Sequence, residues 1–426
     1  MRRGDPGRGA GAGRAANRPT EGWAGAGPAG GEQPGRTAAS AARAEPWRRA
    51  QAATRFTVPP QLSADRPPEA RGLARDEVRL LVAAAHRPIR HTRFTGLPAA
   101  LRPGDLIVVN TSDTEPAALD GVREDGRPVV VHVSGPDPDG GDAIGGDRSG
   151  IAGSDGPGRA DRAGSIVVEL RSPDGERVGD GRAGETVTLP AGAVLRLVAG
   201  YPDRSTTSGN RLWRATLPVE GGLPGYLAAV GRPIRYGYLR APRPLQDYRT
   251  VVASRTPGEL AGAEMPSAAR PLSGRVLDGL RARGVGLATI TLHAGVSSPE
   301  ADEVPLPERY RVPAGTAAAV NATRAAGRRV VAVGTTVTRA LETVASPDGT
   351  VRSGEGWTDL VLGPDRPVRT VTGLVTGWHE PEASHLLLLE AVAGPRLVGR
   401  AYRSALGRGY LWHEFGDSCL VLPALG

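Results

Sequence analysis

The stretch "RVVAVGTTVTRALETVAS", Arg329 to Ser346, constrains the fold more than any other part of the chain. Val330, Val331, Ala332 and Val333 form a short apolar run, rich in β-branched residues and too brief for a lone helix. A run without alternation is apolar on both faces, so it reads as a strand buried on both sides, the kind that parallel sheets use. Gly334 then permits a tight turn, and Thr335 or Thr336 is placed to cap the helix that follows. That helix puts Leu341 and Val344 inward and leaves Arg339 and Glu342 beside the turn. Such a junction presents free backbone N–H groups and a positive dipole end, a setting for a carboxylate, a phosphate or a polarised hydroxyl. Ordinary βα turns that bind nothing share the same pattern.

From about Pro242 onward helices and strands alternate. "PLSGRVLDGLRARG" is a helix with Leu272, Val276, Leu277 and Leu280 on one face and Gly284 as its stop, and "VGLATITLH" is a strand. The helix "PAGTAAAVNATRAAG", the opening strand and its helix, the strands "TDLVL" and "TVTGLVT", and the helices "PEASHLLLLEAVAG" and "RLVGRAYRSALG" follow. Near the start, "VRLLVAA" and "DLIVVN" read as strands. Between them, from Pro116 to Pro218, "PVVVHV", "SIVVEL", "ETVTL", "VLRLVAG" and "RLWRATL" have the spacing of a small antiparallel barrel. The expected fold is therefore α/β, a large domain (53–115 and 219–426) with a mostly parallel sheet, carrying an inserted small antiparallel β-barrel domain (116–218). The Gly- and Asp-rich segment 134–165 reads as a disordered loop, because the fixed spacing and closing Glu of a calcium loop are missing.

Residues 1–52 are dominated by Gly, Ala, Pro and Arg and read as a disordered tail. Of the net charge of +8, the first fifty residues hold nine Arg against four acids, a surplus of five. That leaves three for the rest, a nearly balanced folded part, with the tail either adding salt-sensitive affinity for RNA or merely solvated. No apolar stretch reaches membrane-spanning length and no secretory signal is evident, so a cytoplasmic protein without a membrane partner is expected. Cys419, the single cysteine, excludes an internal disulfide and reads as a packed core thiol.

Strand ends bind ligands in sheets of this kind, and "TLHAG", "VGTT" and "TGWHEP" lie at such ends. "GWHEPEASHLL" crowds His379, Glu380, Glu382 and His385, but the histidines are six apart with Pro381 between them, which is not the spacing of a zinc helix. His379 precedes a helix and can reach a ligand, while His385 lies within that helix. His293 closes its strand, where structural and catalytic histidines both occur. No nucleophile elbow, Walker loop or dinucleotide fingerprint is present, and no metal is expected. This is the profile of an enzyme whose substrate supplies the reactivity, or of a binding protein.

Taken in order, "LRPGDLIVVN", "ATITLHAG", "ERYRVP", "RVVAVGTTVTRALE", "GWTDLVL", "GLVTGWHEP" and "FGDSCLVL" resemble the S-adenosylmethionine:tRNA ribosyltransferase-isomerases of queuosine biosynthesis, from about Phe56 to Leu422. The resemblance implies transfer of the ribosyl portion of S-adenosylmethionine to 7-aminomethyl-7-deazaguanine in the anticodon of tRNA. Rearrangement to an epoxycyclopentane then accompanies release of adenine and methionine. S-adenosylmethionine is the co-substrate and its sulfonium supplies the reactivity, so no further cofactor is implied. His379 and Asp417 become candidates for the base and acid, with Glu342 grouped beside them. Gly334, Thr335, Thr336, Arg339, Trp357, Thr358, Asp359, His293 and Asn110 become candidates for substrate binding. Arg339, Glu342 and Asp417 equally suit a structural ion-pair network. A monomer is expected.

The departures are specific. Where the family reads N-D-T-R-V-I-P-A-R-L, this chain has "NTSDTEPAAL", with Asp113 and Ala118 at the two Arg positions. Pro271 stands at a His position, "VSSP" replaces L-G-T-F, and Glu382 replaces a Lys. Lost positive charge weakens phosphate contact. Two other readings therefore stay open: a divergent paralogue using a small nucleobase acceptor, and a non-catalytic nucleoside- or tRNA-binding module.

Overall fold

The computed structural model describes residues 52–140, 164–202, 209–297, 306–381 and 384–425. Its elements run β1 (Arg79–Ala84), β2 (Arg90–Arg93), α1 (Leu97–Ala100), β3 (Leu106–Asn110), β4 (Ala118–Arg123), β5 (Pro128–Pro136) and β6 (Ile166–Arg171). Next come β7 (Thr186–Thr188), β8 (Val194–Tyr201), β9 (Leu212–Thr216), α2 (Leu223–Val230), α3 (Gly274–Ala282), β10 (Gly286–His293), β11 (Glu308–Val312) and α4 (Ala314–Ala325). The last are β12 (Val330–Val333), α5 (Thr335–Thr343), β13 (Gly354–Thr358), β14 (Gly373–Thr376), α6 (Ser384–Ala393), α7 (Pro395–Gly407) and β15 (Ser418–Leu422).

Nine strands form one sheet in the order β13-β11-β10-β3-β12-β14-β15-β1-β2. Period-two alternation sorts its side chains. Leu81, Leu106, Val108, Val330 and Ala332 face a core closed by α4 to α7, while Leu80, Ile107, Val109, Val331 and Val333 face another closed by α1 and α3. The four residues of β12 are 0–1% exposed, and removing each such valine from water contributes about 1.5–3 kcal/mol. This double burial is why the run shows no alternation of its own.

The α/β class expected from sequence holds, with one correction to the sheet. Of its eight pairings, β1–β15, β10–β3, β12–β14 and β12–β3 are parallel. The other four, β1–β2, β10–β11, β11–β13 and β14–β15, are antiparallel. The sheet is therefore mixed: a parallel centre of β10, β3, β12 and β14, flanked on one side by β15 and β1, which both run opposite to it, with antiparallel strands at both edges.

Strands β4-β5-β6-β9-β8-β7 close into an antiparallel barrel around Leu119, Val131, Val168, Leu195 and Leu197. The barrel follows β3 in the chain and precedes β10, its neighbour in the sheet. The chain leaves for the barrel where β3 ends and returns through α3 to the start of β10, which lies beside the start of β3. Of the segment 134–165, Ser134–Pro136 belong to β5 and Asp137 is buried, while 141–163 lie outside the described residues. The tail expectation for 1–51 lies outside them too, and Ala52 is already packed in the core. Cys419 is a buried free thiol in β15. No helix among the described residues is long and apolar enough to cross a membrane.

Candidate active site

Because β10, β3, β12 and β14 are consecutive parallel neighbours, their carboxyl ends share one edge. Asn110, His293, Gly334 and His379 therefore meet there. Asn110 is fully buried; its Nδ2 donates to Leu292 O at 2.8 Å and to Thr336 Oγ1 at 3.4 Å. Its Oδ1 accepts from Leu292 N and Ser112 N, both at 3.0 Å. All four hydrogen-bonding positions of the amide are used, so Asn110 joins β3, β10 and the first turn of α5.

Gly334 has φ +96°, a conformation that a side chain resists. It is itself the N-cap of α5 and offers no capping side chain, so Thr335 is the first helical residue instead of the expected cap. First-turn amides point out of a helix, and here they are left to the strand-end edge beside half-buried Thr335 and Thr336.

Arg339 and Glu342 are buried inside the fold, not beside the turn as expected. The Arg339 guanidinium donates to Leu360 O at 3.0 Å, Thr358 O at 3.1 Å and Leu306 O at 3.4 Å, and pairs with Glu308. Thr358, 1% exposed, shares a 2.6 Å hydroxyl contact with Thr343 of α5. "VGTT…R" and "GWTD" thus occur together because Arg339 and Thr343 bolt α5 to β13. Asp359 is exposed, and Trp357 turns toward the cleft described below.

Glu342 accepts from Arg369 N at 2.8 Å, Thr370 N at 2.9 Å and Val371 N at 3.0 Å. Asp417, 5% exposed, accepts from Arg79 N at 2.8 Å, Arg79 Nε at 2.9 Å and Leu411 N at 2.8 Å. Both carboxylates are saturated by donors of the fold, the structural alternative left open by the sequence.

His379 Nε2 lies 2.9 Å from Thr376 Oγ1, and its ring stacks on His385 with centroids 4.6 Å apart and planes 1° apart. Burial first, then the neighbouring His385 and His413, push its pKa well below the ordinary histidine value. The ring is therefore neutral at pH 7. Glu382 lies outside the described residues.

An open cleft of about 450 Å³ lies between the barrel and this edge. Ser134 and Tyr201 of the barrel face His293, Arg309 and Trp357 across it. At its corner the substituted motif has its own compensation. Asp113 and Glu115 are buried, and Arg255 reaches them at 3.3 and 3.0 Å while Arg249 lies 3.3 Å from Asp113. Arginine is back at this corner from another loop, though its charge is neutralised.

Sequence reasoning missed Ser112, Glu259 and the group around Glu414. Tyr236, Tyr238 and His413 stack in a column with centroids 5.6 and 3.9 Å apart, and the hydroxyls of Tyr236 and Tyr238 donate to Glu264 and Glu414. Glu414 Oε1 is buried without a hydrogen-bond partner among the described residues. "HEFGD" carried the signal, His413 and Glu414 adjoining a matched motif. Burial raises the Glu414 pKa to about 7, although the Tyr238 hydroxyl opposes it.

A raised carboxyl favours folding below its unfolded value of 4.5, and that contribution is lost as pH rises through 7. Glu414→Gln is accordingly expected to match the parent at pH 4.5 and to exceed it by about 3 kcal/mol at pH 8, measured by urea unfolding. Equal pH dependence in both proteins would show that Glu414 titrates normally.

The family model described as "Queuosine biosynthesis protein" matches residues 52–421. An S-adenosylmethionine:tRNA ribosyltransferase-isomerase of Symbiobacterium thermophilum is 35% identical over 381 residues, 86% of this chain and 98% of that protein. One from a Methylobacterium species is 33% identical over 388 residues, 87% of this chain and 98% of that protein. A crystal structure of S-adenosylmethionine tRNA ribosyltransferase from Thermotoga maritima superposes with TM-score 0.44 and 24% identity, covering 86% of this chain and 99% of that one.

Proposed function

The chain belongs to the queuosine biosynthesis protein family, and on that premise we propose that it is an S-adenosylmethionine-dependent tRNA ribosyltransferase-isomerase. It moves the ribosyl unit of S-adenosylmethionine onto 7-aminomethyl-7-deazaguanine in the anticodon region of tRNA, yielding epoxyqueuosine, adenine and methionine. The observation that carries the reading is the cleft at the strand ends, walled by His293, Arg309 and Trp357 and roofed by the barrel.

The first turn of α5, with Thr335 and Thr336, suits the methionine carboxylate or a ribose hydroxyl. His379 is the base that removes the proton beside the sulfonium, since a neutral imidazole is ready to accept one. Trp357 and Arg309 offer a flat ring and a cation to the substrate. Asn110, Arg339, Thr358, Glu342 and Asp417 hold the walls in place, and Asp359 stands at the surface. The protein acts as a monomer in the cytoplasm, with S-adenosylmethionine and tRNA as its partners.

Asp113 and Ala118 at the family's Arg positions favour a second reading, a smaller nucleobase acceptor. One experiment separates them. The purified protein is incubated with S-adenosylmethionine and tRNA bearing 7-aminomethyl-7-deazaguanine, and nucleosides and free adenine are measured by mass spectrometry. Epoxyqueuosine supports the first reading; adenine release with unchanged tRNA supports the second; neither product refutes both.

A further inference from the structure

Along the cleft wall runs a line of hydrogen bonds that fixes the protons of one imidazole. The Ser112 hydroxyl, 1% exposed, donates to Asp113 O at 3.0 Å and accepts from Gly262 N at 3.2 Å. Its third neighbour is His293 Nδ1 at 2.9 Å. A hydroxyl has one hydrogen, and here the carbonyl takes it; Nδ1 therefore brings its own. Across the ring, Nε2 faces Glu259 Oε1 at 3.4 Å. The hydrogen bond from His293 outweighs burial and brings the Glu259 pKa to about 2, with Thr256 and Arg309 assisting, so this carboxylate is an anion. Nε2 thus has a carboxylate as its neighbour in the cleft wall. The other charges around the ring are Arg309, 3.3 Å from Glu259, and Glu308, itself paired with Arg339.

We propose that His293 is the acid that gives its Nε2 proton to the departing purine, held in the cleft wall by Ser112 at Nδ1 and by Glu259 beside Nε2. The inference rests on the ribosyl-transfer reading and adds the acid that Asp417, saturated by Arg79 and Leu411, does not supply. In the step, the ribosyl C–N bond breaks and its electron pair stays on the purine nitrogen, which takes the proton, while a lone pair of the ribose ring oxygen forms a carbon–oxygen double bond to the vacated carbon. His293 is left neutral with Nδ1–H still donated to Ser112, and solvent returns the missing proton.

Two readouts on the full-length protein test this. In 15N-histidine-labelled protein, His293 is expected to show an Nδ1–H resonance held by Ser112, assigned by its loss in His293→Gln and shifted in Ser112→Ala. An Nδ1 without a proton in the parent protein overturns the Ser112 anchor, and with it the orientation of Nε2, without any substrate being present. In adenine release, His293→Gln is expected to lower kcat about 100-fold with little change in KM for S-adenosylmethionine. A raised KM at unchanged kcat overturns the acid role and leaves His293 as a binding group. If the parent protein releases no adenine, the ribosyl-transfer reading fails and the proton's destination fails with it, while the ring resonance still decides the Nδ1 anchor.

Discussion

Glu342→Ala is expected to lower the free energy of unfolding by about 4 kcal/mol, because three backbone amides lose their common acceptor at once. Arg369, Thr370 and Val371 donate to this one carboxylate just ahead of β14. Thr370 and Val371 are 0% and 2% exposed, so water cannot replace the lost oxygens. An unsatisfied buried amide costs about 1–3 kcal/mol, and the total is a large fraction of the 5–15 kcal/mol typical of a domain. Glu342→Gln keeps one oxygen but turns an N–H₂ toward a donor, and is expected to fall between the two. Urea unfolding reads both variants. A Glu342→Ala protein of unaltered stability that no longer releases adenine would restore Glu342 to the chemistry.

His379→Ala is expected to reduce kcat for adenine release by about 100-fold or more while leaving the fold intact. The variant forfeits one hydrogen bond to Thr376 and a ring stack on His385, a loss of about 1 kcal/mol. His379→Gln can still bond Thr376 but cannot take up a proton, so the same loss of rate is expected with better stability. The pH profile gives an independent sign. A base must be unprotonated, and burial holds this imidazole well below the usual value near 6.5. Protonation of this base is therefore expected to cause no fall in the parent's kcat/KM between pH 8 and 6. Full activity in His379→Ala would end its role as the base.

What the sequence disclosed followed from local pattern. β12 and five of the six barrel strands, all but β4, were legible because burial on one or both faces writes itself as a run or an alternation of apolar residues. β2, "RHTR", carries no such pattern, since it is an edge strand held by pairing with β1 and mostly exposed. "TDLVL" reads as a strand, yet β13 lies earlier, at Gly354–Thr358, because it pairs with β11 there and Arg339 claims the carbonyls of Thr358 and Leu360. Reversal of β15 inside the sheet is invisible locally, since a run buried on both faces reads the same in either direction.

The site divided along the same line. Motif residues at strand ends were found by position, but position cannot tell a group aimed at the cleft from one consumed by the fold. Glu342 and Asp417 looked like chemistry until their donors were counted. Ser112 and Glu259 are 147 residues apart in the chain and meet only through His293.

The place of β15 has a consequence for how the chain acquires its shape. It pairs with β14 on one side and β1 on the other, and Asp417 at its start grips Arg79, 338 residues earlier. Until Ser418–Leu422 arrives, β1 and β2 are a lone two-stranded ribbon, an arrangement only marginally stable in water. The last strand emerging from the ribosome is thus the one that admits the first, and closure of so long a loop makes completion of the sheet the slow, final step of assembly.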